Sequence, residues 1–111
     1  MEYKIKSRIW LESEDNVFLG QGRVHLLRTI QETGSLSKAA LQLNMSYKKA
    51  WTLLDSTNKS AKQPITVAST GGKGGGGVAL TPYGVKMVEA FENLNQRCWD
   101  FLDGELRNMK I

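Results

Sequence analysis

The stretch Gly34-Ser-Leu-Ser-Lys-Ala-Ala-Leu-Gln-Leu-Asn-Met-Ser-Tyr-Lys-Lys-Ala-Trp-Thr-Leu-Leu54 limits the possible folds more than any other part of this chain. Leu36, Ala39, Ala40 and Leu43 make one narrow apolar side at helical spacing, and Met45, Ala50, Leu53 and Leu54 make another. Ser35 and Ser46 stand where helix N-caps belong. Between the two runs, Asn44 tolerates the left-handed backbone of a tight turn. Helices that cross close to such a turn need small side chains at the contact, and Ala40 against Ala50 provides them on both sides. These requirements define a helix-turn-helix, here predicted over about 36–59 as a helix from Leu36 to about Leu43 and another from Ser46 to about Lys59.

The flanks carry other periods. Tyr3–Glu12 alternates, with Tyr3, Ile5, Ser7, Ile9 and Leu11 on one face, and predicts a half-buried strand. Glu14-Asp15-Asn16 signals a turn, and Val17-Phe18-Leu19 can return as a second strand. Gly20–Gly22 is expected to break the chain before a helix that starts at Arg23, carries Val24, Leu27 and Ile30, and ends at Thr33 with Gly34 as a left-handed C-cap. After Pro64, Ile65–Ala68 and Val78–Leu80 are short strand candidates around a glycine-rich tip, a hairpin over about 65–80. Thr81-Pro82 caps a last helix predicted over about 82–109. The expected class is α+β, mainly α, in one domain over 1–111.

Composition excludes several functions. One cysteine, Cys98, forbids an internal disulfide and any cysteine-based zinc site, and one histidine, His25, makes a Ser-His-Asp triad or a His-rich metal site improbable; His25 is expected to be structural. No apolar run approaches the roughly 20 residues of a membrane span, and the N-terminus lacks a signal peptide's apolar region, so the expectation is cytoplasmic. Paired catalytic carboxylates on one element, metal-ligand spacing and a nucleophile near a base are all missing from the pattern, so neither an enzyme nor a cofactor is expected.

The charge is unevenly placed. The whole chain carries +4, but Ser35–Gly77 holds six lysines against the single acid Asp55, a net +5, which leaves −1 for the flanks. A one-sided basic segment suits a polyanion. It coincides with the helix-turn-helix, whose second helix turns Tyr47, Lys48, Lys49 and Thr52 away from the apolar side, with Ser46 at its start. Lysines neutralise phosphates or bond guanine edges, and hydroxyls bond phosphates or bases. Ser35 and Ser37 begin the preceding helix, where free N–H groups suit a phosphate. Gly72–Gly77 matches the dinucleotide fingerprint literally, but that fingerprint must open directly into a helix, and here strand residues and Pro82 intervene. Lys73 is followed by glycine, which also excludes a P-loop. A hairpin after a helix-turn-helix is a wing, and Lys73 at its tip could reach a phosphate or the minor groove.

On the last helix Val88, Phe91, Leu94, Cys98, Leu102 and Leu106 step by three or four, with Trp99 and Phe101 alongside. This is more apolar surface than one small domain needs, so Val88, Phe91, Leu94, Cys98, Trp99, Leu102 and Leu106 are expected at a two-fold dimer interface.

The motifs Gly34-Ser-Leu-Ser-Lys-Ala-Ala, Met45-Ser-Tyr-Lys-Lys-Ala-Trp, Thr70-Gly-Gly-Lys-Gly-Gly-Gly-Gly and Leu80-Thr-Pro-Tyr-Gly, in this order, closely resemble the N-terminal DNA-binding domain of bacterial ModE-type molybdate-responsive transcriptional regulators. The resemblance spans about Gly20 to Val88. LysR-type regulators share only the first motif and the Leu-Thr-Pro-x-Gly start of the last helix. The resemblance implies a homodimeric winged helix-turn-helix that binds double-stranded DNA, with Ser46, Tyr47, Lys48, Lys49 and Thr52 on the recognition helix and Lys73 on the wing. Full-length members also carry C-terminal molybdate-binding modules. These 111 residues have no room for one, so the expectation is a domain without a sensor. Sensing would then belong to a separate molybdate-binding or regulatory protein, to another signal, or to none. The alternative reading is a winged-helix module that pairs with another regulator through its long helix.

Overall fold

The structure is a computed structural model that describes residues 1–69 and 77–111. A hairpin opens it. β1 (Trp10–Ser13) pairs antiparallel with β2 (Asn16–Gly20), with an irregularity between Leu11 and Glu12. The two connecting residues, Glu14 and Asp15, both have positive φ (51° and 67°). Two consecutive left-handed residues are what a tight two-residue hairpin requires, because their twist matches that of the strands. The strand is far shorter than the alternation from Tyr3 predicts. Met1–Ile9 has no strand partner, and Ser7 instead lies beside the last helix, its Oγ 3.9 Å from Cys98 Sγ.

Helix α1 (Gln21–Thr33) starts two residues earlier than expected. Only Gly20 stands outside it, in extended conformation; Gly22 is exposed within the first turn and does not break the chain. Gly34 closes the helix at φ 71°, as expected, its N–H donating to the Ile30 carbonyl (2.7 Å). The side chain of His25 is exposed and takes no part in the core, contrary to its expected structural role.

Helices α2 (Leu36–Gln42) and α3 (Tyr47–Lys59) follow, each capped by the expected serine. Ser35 Oγ accepts from the Lys38 N–H (3.2 Å) and Ser46 Oγ from the Lys49 N–H (3.0 Å). Asn44 takes φ 55° in the turn between them. Ala39, Ala40 and Ala50 are buried, and Leu36, Leu43, Met45 and Leu53 pack around the core that Leu19, Leu26, Leu27, Ile30, Leu54, Ile65, Val88 and Phe91 complete. Burial of this set supplies the main driving force for folding.

β3 (Thr66–Ser69) and β4 (Gly77–Leu80) pair antiparallel as the second small sheet. Asn58, near the end of α3, ties this hairpin down. Its Oδ1 accepts from the N–H groups of Ile65 (2.7 Å) and Thr66 (3.2 Å), and its Nδ2 donates to Thr66 Oγ1 (3.0 Å). On the other strand the Val78 N–H donates to the Gly34 carbonyl (3.1 Å). The Gly77 backbone comes so close to that carbonyl that a Cβ there would lie 2.5 Å from its oxygen.

Helix α4 (Pro82–Asn108) is launched by Leu80-Thr-Pro-Tyr-Gly84. Thr81 caps it, Oγ1 accepting from the Gly84 N–H (2.9 Å), while the Thr81 N–H donates to the Ile65 carbonyl (2.9 Å). Arg28 of α1 grips Glu92 of α4 with both ends of its guanidinium. This hydrogen-bonded pairing raises the pKa of Arg28 and lowers that of Glu92. Beyond Phe91 the helix projects. At about 1.5 Å per residue α4 is on the order of 40 Å long, within a longest dimension of 59 Å. The radius of gyration, 16.7 Å, accordingly exceeds the roughly 13 Å of a compact domain this size.

Candidate nucleic-acid interface

The core side of α3 consists of Ala50, Leu54 and Thr57. Thr57 Oγ1 donates to the Leu53 carbonyl (2.8 Å) and accepts from Arg23 (3.0 Å), which fixes the rotation of the helix. Burial pushes the Arg23 guanidinium below its ordinary pKa. With that side fixed, the 100° step of a helix turns Lys48 and Thr52 directly outward and puts Lys49 on one flank. Tyr47 and Trp51, one turn apart, fall on the flank facing the second hairpin. Ser46, Tyr47, Lys48, Lys49, Trp51 and Thr52 are all exposed. The acid Asp55 is held by Lys59 (2.9 Å), whereas Lys38, Lys48 and Lys49 make no ion pair among the described residues. The outward face is therefore rich in uncompensated positive charge.

Tyr47 and Trp51 line a groove of about 340 Å³ with Ser35, Leu36 and Ser37 from the start of α2 and Thr66, Val67 and Val78 from the strands. Ser35 and Ser37 meet through their hydroxyls (3.1 Å). The elements that hold the expected residues thus converge on one surface. Lys73, at 70–76, lies outside the described residues. Two contributors had no role assigned from sequence. Trp51 belongs to the Met45-Ser-Tyr-Lys-Lys-Ala-Trp motif, and nothing in the sequence decides whether its side chain faces the core or the surface. Asn58, which sets the hairpin against α3, left no signal in sequence, because its partners lie seven and eight residues on.

The expected dimer face needs correction. Val88 and Phe91 are 0% and 2% exposed, enclosed by this chain's own core, so they are unavailable to a partner. The periodic stripe on α4 does two jobs in sequence: its first half closes the core, and its second half is only partly covered, with Ser7 beside Cys98 and Ile5 lining a cleft with Trp99 and Leu102. Leu94 and Trp99 are exposed, and Cys98, Leu102 and Leu106 are half-buried.

A helix-turn-helix followed by an antiparallel hairpin, with a basic outer face on its second helix, makes this a winged helix-turn-helix domain of the class that binds nucleic acid. No protein-family model matches the chain. It is 37% identical over 86 residues to the transcriptional regulator ModE of Haemophilus influenzae, covering 78% of this chain and 34% of that protein. It is 32% identical over 98 residues to the DNA-binding transcriptional dual regulator ModE of Escherichia coli K12, covering 86% and 37%. To the molybdenum-pterin-binding protein MopB of Rhodobacter capsulatus it is 44% identical over 73 residues, covering 66% and 27%. The chain is thus a homologue of the ModE-type regulators and matches their N-terminal DNA-binding region. It spans about a third of the length of the first two of these relatives. No helix among the described residues is long and apolar enough to cross a membrane.

Proposed function

We propose that this chain is a sequence-specific regulator of transcription that binds double-stranded DNA as a homodimer in the cytoplasm. The observation that carries the reading is the outer face of α3, where Lys48, Lys49 and Thr52 stand exposed beside the second hairpin while the opposite face is locked into the core. In this reading α3 enters the major groove, which is about 12 Å wide and admits a helix. Ser35 and Ser37 approach a backbone phosphate, and the hairpin flanks the duplex as a wing, with Lys73 reaching the backbone. The partly exposed half of α4, Leu94 to Leu106, packs against the same stretch of a second copy. A bound dimer then blocks or recruits polymerase.

Binding of duplex DNA across a salt series tests this. Each phosphate contact contributes about 0.9 to the slope of log affinity against log salt. Losing Lys48 and Lys49 on both protomers should therefore flatten the slope by up to about 3.6. A Lys48→Ala/Lys49→Ala variant that matches the wild type in affinity and slope would overturn the assignment.

A further inference from the structure

The basic face of α3 has an apolar flank that phosphate contacts leave unused. Tyr47, Trp51 and Val67 are 56%, 51% and 53% exposed, and they line one groove from two elements. The Trp51 indole N–H has no hydrogen-bond partner among the described residues. Large apolar side chains held in water cost free energy. Here Tyr47 adjoins Lys48, and Trp51 follows that lysine by three residues on the same helix, so the lysine-bearing surface has an apolar strip along its edge. The major-groove edges of duplex DNA present donors and acceptors almost everywhere; the apolar exception is the thymine C5-methyl group. Building on the DNA-binding reading above, we propose that Trp51, backed by Tyr47 and Val67, packs against thymine methyl groups, which makes it a specificity-determining residue for the bound site. Two aromatics could also stack unpaired bases of a single strand. The duplex is favoured because both aromatics flank Lys48 and Thr52, the exposed outward residues of a helix that fits a major groove.

The probe is the duplex pool that this chain selects from random sequence, amplified once with dTTP and once with dUTP, which removes only the methyls. A buried methyl group corresponds to about three- to fourfold in affinity, so two half-sites should cost about tenfold on the dUTP pool. Trp51→Ala, whose fold is checked by circular dichroism because the side chain is half outside the core, should bind the dTTP pool more weakly and bind both pools equally. Trp51→Leu, which keeps an apolar group, should restore part of the preference. Wild type that binds both pools equally would overturn the thymine proposal and leave DNA binding standing. So would a Trp51→Ala variant that keeps the preference, or single strands that compete as well as duplex. Failure to retard any duplex at low salt would overturn the DNA-binding reading itself, and the thymine proposal with it.

Discussion

Gly84→Ala tests the joint on which the fold turns. A Cβ at Gly84 would run into the Ile65 carbonyl oxygen and lie 3.2 Å from Ile65 Cγ2. Ile65 cannot easily give way, because its N–H is held by Asn58 Oδ1 at 2.7 Å and its carbonyl accepts from the Thr81 N–H at 2.9 Å. Relief requires the start of α4 to lift from the hairpin, weakening the hydrogen bonds that Thr81 donates to the carbonyls of Ile65 (2.9 Å) and Pro64 (2.7 Å), worth about 1 kcal/mol each. Overpacking adds about 1–3 kcal/mol, offset by about 0.5–1 kcal/mol from replacing glycine in a helix. The expected net is about 2–4 kcal/mol of destabilisation. At roughly 4–8 °C per kcal/mol for a domain near this size, the melting temperature should fall by about 10 °C or more. Urea and thermal unfolding by circular dichroism measure both quantities. Gly22→Ala is the matched control: its Cβ meets nothing within 4 Å, so it should stabilise by about 0.5 kcal/mol. A Gly84→Ala variant as stable as the wild type would refute the reasoning and leave the Leu-Thr-Pro-Tyr-Gly motif without this physical explanation.

Other consequences follow from the same contacts. Asn58→Ala strips the acceptor from the buried Ile65 N–H and should cost about 1–3 kcal/mol in urea unfolding, with a parallel loss of duplex affinity as the hairpin loosens from α3. The carboxyl of Glu92 titrates below the ordinary glutamate range because Arg28 binds its charged form. The pair's contribution is therefore complete above that range and disappears as pH falls through the lowered value. Glu92→Gln should remove that part of the acid dependence, and because both side chains are substantially exposed the effect should be at most about 1 kcal/mol. Leu94→Glu/Leu106→Glu places charge on the partly exposed half of α4 and should give folded monomers by sedimentation, with duplex affinity reduced more than tenfold; unchanged dimers would rule out that face.

The features legible in the sequence are those settled within one turn of chain. Ser35, Ser46 and Thr81 cap helices because a side-chain oxygen meets an N–H three residues away, and Gly34 and Asn44 take left-handed turns because their side chains permit it. The burial of Ala40 and Ala50 is legible too, since a tight crossing admits only small residues. Sequence and structure part where a local pattern needs a distant partner. Alternation from Tyr3 continues to Glu12, but β2 is short and gives ladder partners only to Trp10–Ser13. The stripe on α4 has one period along its whole length, so nothing in it separates Val88 and Phe91, which close the core, from Leu94 and Trp99, which do not. On the candidate site, Lys48 and Thr52 were readable as outward because the helix's apolar side was clear. Trp51 was not, since a tryptophan in a motif could equally face the core.

Backbone amide shifts of the labelled chain, followed as a selected duplex is added, test the central claim most directly. The account predicts perturbations concentrated at Ser35–Lys38, Ser46–Thr52 and the two strands of the second hairpin, weakening as salt rises. Perturbations confined to the far half of α4, or none at low salt, would contradict it.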